Sequence, residues 1–410
     1  MKRTFSLSAA RRIGLLIAGT GLIAATYGLV RLAYGLFLPD VQRDLGFDAA
    51  VAGAISSGAS ILYCVGAVVG FVVGTRRPRG LVIAAGLSAI IGAVGMAASG
   101  SALVFAMFAI GASAGAGLAS PGLVTLVARN LHVARRDRGQ SIVNAGTGPG
   151  LALAGALAIV LLPDWRLAWL LAAGVTALAV LGVLLFDRGE NAAEEDAASA
   201  PAARPDRAPA RRALPPARWF RDHAAVIVAA LLLGAGSAAT WTFGRTLLLE
   251  AGMTEGVSVG AWIALGIGGT AVIATARALS ALTPRAAWVV TTIAVAASTA
   301  ALALAPGSTG IAFAACAVFG WGYTAATGSL ISWTSRLDAD RASAGTALLF
   351  VTLVLGQAVG ASALGSLVAP FGMVTTFLVA AVIALAGAAV TAAGRRERTP
   401  IERERVSVSG

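Results

Sequence analysis

Two arginines stand inside apolar runs, each at the end of a similar word. Ala24-Ala25-Thr26-Tyr27-Gly28-Leu29-Val30-Arg31 returns in the second half of the chain as Ala238-Ala239-Thr240-Trp241-Thr242-Phe243-Gly244-Arg245. An arginine deep in a bilayer costs roughly 2.5–3.5 kcal/mol on insertion scales, so a charge placed twice in this way needs a use. A guanidinium clamps a carboxylate or phosphate through two parallel hydrogen bonds. Helical spacing puts Tyr27, Arg31 and Tyr34 on one stripe and Trp241 and Arg245 on another. An aromatic ring beside each charge adds about 0.5–2 kcal/mol of cation–π attraction. Two guanidinium groups facing each other at about 10 Å repel by about 1.7 kcal/mol at an effective dielectric near 20. A bound anion relieves that repulsion. A second role stays open. Asp40 marks the end of the first apolar run, about 13 Å beyond Arg31 at 1.5 Å per residue. Both arginines then fall in the outer half of the membrane, within reach of its surface by snorkelling. Thr26-Tyr27 and Thr240-Trp241 lie nearer the midplane.

The elements that must hold these residues are membrane helices. Of 410 residues, 58% are apolar and 12% charged, a balance that excludes a soluble domain of this length. About 20 apolar residues span a bilayer core, and twelve windows qualify: 13–38, 49–74, 81–99, 101–128, 139–162, 166–186, 223–249, 257–276, 286–305, 309–334, 342–369 and 371–393. The net charge of +12 does not point to nucleic acid, because 28 of the 30 arginines flank these windows. They gather in every second connection, and only Arg43 and Arg166 fall on the opposite side. Such asymmetry predicts cytoplasmic termini. The N-terminal run is too long for a signal-peptide core and reads as a first span. Cys64 and Cys316 sit inside apolar runs and read as small hydrophobic fillers. The expected class is therefore an all-α integral membrane protein with twelve transmembrane helices. A six-helix bundle over 1–186 is followed by a cytoplasmic linker over 187–221, rich in Ala, Pro, Arg and Glu. A second bundle over 222–394 and a cytoplasmic tail over 395–410 complete the chain.

Further echoes tie the halves together. Gly146, Gly150 and Gly155 share their spacing with Gly356, Gly360 and Gly365, and Pro78-Arg79 with Pro284-Arg285. Duplicated six-helix halves around a central site are a transporter architecture. Over its whole length the chain resembles the major facilitator superfamily. Residues 37–46, FLPDVQRDLG, with Gly53 beyond, look like that family's LP…DLG…G junction. Residues 70–79, GFVVGTRRPR, occupy the place of its G-x-L-A-D-R-x-G-R-R loop, with Gly74 where the aspartate belongs. The resemblance implies a conformational-switching role for Gly70, Gly74, Arg76, Arg77 and Arg79. Gly148-Pro149 resembles part of the G-P-x-x-G motif of proton-driven exporters, which implies a conformational-switching role for Gly148 and Pro149 too, and otherwise reads as a bend in the helix.

All 19 acidic residues fall in connections or at span ends, so no titratable carboxylate is expected near the membrane centre. Zinc-protease and P-loop signatures are absent from the sequence, and no enzyme activity, cofactor or metal is expected. The substrate-binding candidates are Arg31, Arg245, Thr26, Tyr27, Thr240, Trp241, Tyr34, Tyr63, Asn144, Trp262, Tyr323 and Gln357. The last five serve equally well as interhelical glue or packing aromatics. The expected function is a bacterial secondary transporter in the cytoplasmic membrane, monomeric and working by alternating access on a small organic anion. A proton-linked multidrug or metabolite exporter is the alternative. The expected partners are a small-molecule substrate and membrane lipid.

Overall fold

The computed structural model describes residues 2–74, 76–188, 216–338 and 341–392. Its spans are α1 (Ala10–Leu45), α2 (Ala49–Val73), α3 (Pro78–Ala98), α4 (Ala102–Asn130), α5 (Arg138–Leu161) and α6 (Trp165–Phe186), then α7 (Ala224–Glu250), α8 (Glu255–Ser280), α9 (Pro284–Leu304) and α10 (Thr309–Leu337). The final stretch, Ala342–Ala392, is wound as one 51-residue helix interrupted at Gly372, where φ is 80° and ψ 166°. Unbroken, it would run roughly 75 Å, more than twice a 30 Å bilayer core. The left-handed backbone at Gly372, two residues after Pro370, divides it into α11 (342–371) and α12 (373–392). Twelve crossings result, with the break at Gly372 two residues beyond the expected division at 370. Most of the expected linker, 189–215, and the tail beyond 392 lie outside the described residues.

The halves repeat each other in their packing. A methyl group on Gly146 or Gly150 of α5 would overlap the Thr20 or Ala24 carbonyl oxygen of α1. In the second half, Gly356 and Gly360 of α11 meet the Leu231 and Ala235 carbonyls of α7 in the same way. Backbones approach this closely in lipid only where the side chain is missing, and van der Waals contact then replaces the hydrophobic drive. The third glycine of each set reaches across to the other half, Gly155 to Ile263 of α8 and Gly365 to Gly53 of α2. Matching caps end the first helix of each half. Gly46 (φ 67°) precedes an Asp48 side chain that caps α2, and Gly252 (φ 83°) precedes a Thr254 side chain that caps α8.

These caps supply a ruler, and it corrects the octapeptide register. Counted back from Gly46 and Gly252, Arg31 lies about 20 Å deep and Arg245 only about 10 Å at 1.5 Å per residue. The two words look alike but occupy different depths. Their windings differ as well. Ala24–Leu32 forms a π-helix, closed by the Ala33 N–H donating to the Gly28 carbonyl at 3.1 Å, whereas Ala224–Glu250 is α-helical throughout. The wider turn advances each residue by a smaller angle, so Tyr27 and Arg31 stay on nearly the same side of α1.

The halves are sealed at the membrane face opposite the chain termini, here the far face. Gly35 abuts the Trp241 carbonyl, Gly53 abuts the Ala361 carbonyl, and the Ser56 and Thr242 hydroxyls bond at 3.0 Å. Toward the termini these contacts give way. The last ten residues of α8 are exposed or half-buried on every side, which lipid on one flank alone does not explain. If the glycines set the packing, Gly150→Val lowers thermal stability by about 1–3 kcal/mol of overpacking. Gly111→Ala, where nothing lies within 4 Å of an added methyl, leaves the Tm unchanged or slightly raised. Thermal unfolding in detergent checks both.

Candidate functional site

Where the halves meet, α1, α2, α3, α4, α7 and α11 line a cavity of about 40 Å³. That is room for about three waters. Its polar wall holds Arg31, Tyr34, Ser56, Ser60, Thr242 and Gln357, and its apolar wall Val30, Ile55, Met96 and Trp241. Ser60 and Gln357 each fall near the middle of their helices, which puts Arg31 at mid-depth. The expectation that Arg31 sits in the outer half is corrected. α1 continues past Asp40 to Leu45, so Asp40 does not mark the water boundary.

Arg31 is half-buried, and only neutral groups surround its charge. Its Nη2 donates to Gln357 Oε1 at 3.2 Å and to Ser60 Oγ at 3.4 Å, and its carbon lies 4.7 Å from the Tyr63 ring centre. Its Nε is buried and has no partner. Among the described residues no carboxylate is bonded to it. The neighbours are themselves held in place. Tyr27 and Tyr63 share a hydroxyl–hydroxyl bond of 2.9 Å, and Gln357 Nε2 donates to the Tyr323 hydroxyl at 2.9 Å. Tyr323, Phe319 and Trp262 pack around Trp241, whose own Nε1 is unpartnered.

Arg245 is in a different situation. It is 1% exposed, and its Nη1 donates to Asp40 and, at 2.8 Å, to the Leu36 carbonyl, while Nε reaches Ser258 at 3.1 Å. Asp40 is 3% exposed and also accepts from Arg43 at 3.3 Å. The expected face-to-face repulsion of two guanidinium groups does not arise, because one of them already has its carboxylate. Asp40 lies near the end of α1, clear of the membrane centre, yet its pairing with Arg245 keeps it buried. Arg245 is thereby removed from the cavity wall and becomes part of the far-face seal.

The other candidates divide. Tyr34 lines the cavity, donates to the Ala52 carbonyl at 3.0 Å and stacks on Phe105. Thr26 and Thr240 are buried, bonding the Leu22 carbonyl at 2.8 Å and Thr299 at 3.4 Å, and neither reaches the cavity. Asn144 is exposed and bonds Gln140 at 3.2 Å, away from the cavity, so its expected inward position is corrected. Gly148 packs against Thr270 of α8 beside an exposed Pro149. Ser56 and Ser60 join the cavity wall as well, two hydroxyls four apart in an apolar span that mark one polar face.

The sequence profile described as Major Facilitator Superfamily matches residues 20–351. The chain belongs to that superfamily. Solved transporter structures share its shape. The nucleoside transporter NupG is 17% identical with a TM-score of 0.73, covering 93% of this chain and 98% of its own. A bacterial homologue of the human lysosomal transporter Spinster, in an inward-facing and unoccupied conformation, is 15% identical with a TM-score of 0.73, covering 95% and 99%. A POT family transporter in complex with a thioalcohol-conjugated peptide is 15% identical with a TM-score of 0.71, covering 92% and 94%. At such identities the likeness shows the fold and not the cargo. No curated protein matches the chain by sequence. The chain is thus a superfamily transporter and not an enzyme.

The superfamily's α2–α3 loop carries an aspartate that this chain replaces with Gly74, and the charge finds another partner. Arg79 bonds Asp187, just past the end of α6, and Asp187 also accepts from Arg129 at 2.9 Å and Asn130 at 2.6 Å. Arg76 and Arg77 are exposed, while Gly70 packs on Pro121. Burial raises the Asp187 pKa, but the bonds from Arg129, Asn130 and Arg79 outweigh it and hold the carboxyl below its usual range. A lowered folded pKa means that the stabilisation is complete above the ordinary carboxylate range and fades as pH falls through the depressed value. The Tm advantage of wild type over Asp187→Asn is therefore constant near neutrality and shrinks in acid. At the far face, Asp40→Asn strands the buried Arg245 charge and costs about 3–5 kcal/mol. The reciprocal exchange Asp40→Arg with Arg245→Asp recovers part of that loss in thermal unfolding.

Proposed function

We propose that this transporter carries a small organic anion by alternating access, with Arg31 as its electrostatic anchor. One observation supports the reading most. A membrane-buried guanidinium beside a central cavity has an unpartnered Nε and no bonded carboxylate among the described residues. Cation–π attraction to Tyr63 offsets only about 0.5–2 kcal/mol of the cost. An arriving carboxylate supplies the missing charge and fills both donors of one guanidinium edge. Coupling then comes from anion exchange or from a proton carried on the substrate.

In this reading the termini lie in the cytoplasm of a bacterium, residues 1–186 and 222–394 rock against each other, and 187–221 links them. The arginine-rich connections support that orientation. Opening the far face requires Asp40 and Arg245 to part, which makes the pair its latch. The aromatic wall of Trp241, Trp262, Phe319 and Tyr323 favours a second reading, a proton-linked multidrug or metabolite exporter whose cargo needs no charged anchor.

Transport in proteoliposomes separates the two. With panels of carboxylates, cations and neutral drugs, Arg31→Gln lowers uptake of the best anion by about 10–150-fold, the worth of a charge-assisted hydrogen bond. Arg31→Lys, which keeps the charge and loses the fork, retains part of it. Drug transport that survives Arg31→Gln unchanged, with no anion carried, supports the exporter and sinks the anchor.

A further inference from the structure

The half-filled donor edge of Arg31 says something about how the empty transporter tolerates its own charge. Gln357 belongs to α11 in the second half, and Arg31 and Ser60 belong to the first. The 3.2 Å bond from Arg31 Nη2 to Gln357 Oε1 is therefore a bridge between the halves at mid-depth. Nη2 meets two acceptors and the adjacent Nε meets none. Gln357 offers one neutral oxygen to a fork built for two. Its amide nitrogen is meanwhile held by the Tyr323 hydroxyl at 2.9 Å within its own half. The side chain is thus aimed at Arg31 and keeps a second partner if Arg31 is taken from it.

Resting on the anion reading above, we propose that Gln357 is a neutral stand-in for the substrate's carboxylate. It occupies Arg31 in the empty transporter and is displaced when an anion takes the Nε–Nη2 edge. The displacement is favourable because a carboxylate makes two charge-assisted bonds where the amide makes one neutral-acceptor bond. It also breaks the mid-depth bridge, so substrate binding frees one half from the other. A glutamate at this place would be a permanent internal anion. A glutamine is weak enough to leave, yet keeps the charge solvated while the empty carrier reorients. The specificity of the site for anions then depends on residue 357 being neutral as much as on Arg31 being charged.

The test uses the full-length protein in proteoliposomes with radiolabelled succinate, benzoate and glycerol phosphate. The probe is whichever of these wild type carries in an Arg31-dependent way. Gln357→Leu removes the competitor while nearly keeping the volume. It is expected to lower KM by about two- to tenfold, the worth of one neutral hydrogen bond. Net uptake falls at the same time, because the empty carrier loses its stand-in, while counterflow, in which the carrier is loaded both ways, persists. Gln357→Glu abolishes transport of the probe with its Tm preserved. A rise in KM for Gln357→Leu would make Gln357 a direct ligand of the substrate and overturn the proposal, as would wild-type transport by Gln357→Glu. If Arg31 variants matter and these outcomes fail, only the stand-in is wrong. If none of the three anions shows Arg31 dependence, the anchor reading fails and the stand-in falls with it.

Discussion

A charge inside a bilayer has to be met by another charge or by enough dipoles to replace water, and this chain meets the demand in two ways. Arg245 is met by a charge, Asp40, together with a backbone carbonyl and a serine hydroxyl, with only its Nη2 unpartnered, and is buried beyond the reach of solvent. Arg31 is met in part, by an amide, a hydroxyl and an aromatic face, none of them charged. The paired arginine closes a face of the protein. The underpaired one lines its central cavity. Both cost free energy on insertion, but only the second leaves a demand that a solute can satisfy.

That division depends on helix approach. The glycines of α5 against α1, and of α11 against α7, bring backbones close enough to fix each half as a unit. The contacts of α2 with α11 and α5 with α8 then carry the interface between units. Among the described residues the bonds across this interface are few: Ser56 to Thr242, Arg31 to Gln357, Arg245 to Asp40 and the Leu36 carbonyl, and the Cys64 thiol to the Val351 carbonyl. An interface with few polar bonds and much small-residue contact separates at modest cost, as rocking of the halves requires. The wide π-wound turn of α1 lies where the sealed far face meets the opening end, and it carries both Tyr27 and Arg31.

Much of the fold was legible because hydropathy and arginine placement leave little choice in a membrane. The glycine echo was sound in detail: Gly146 and Gly150 make the same backbone contacts as Gly356 and Gly360. The octapeptide echo was sound only as evidence of helices. Ala24-Ala25-Thr26 and Ala238-Ala239-Thr240 differ in depth, because α1 holds more residues before its cap than α7 does, and no residue type announces a π-turn. Asp40 looked like a boundary marker because a carboxylate beside Pro39 at the end of an apolar run usually meets water. Its partner lies in the other half of the chain, beyond what local spacing reveals. Gln357 was visible as a polar group in an apolar run, but its attachment to Arg31 across the halves was not. Thr26 and Thr240 illustrate the reverse error, since a threonine in a helix often spends its hydroxyl on the carbonyl four residues back, as Thr26 does.

The account stands on Arg31 being where an anion binds. The most direct measurement is a crystal structure with the best-transported carboxylate in brominated form, with the bromine located by its anomalous signal. The bromine is expected beside the central cavity, with the carboxylate on the Nε–Nη2 edge of Arg31 and Gln357 withdrawn toward Tyr323. A bromine peak elsewhere, with the Arg31–Gln357 bond intact, would contradict it.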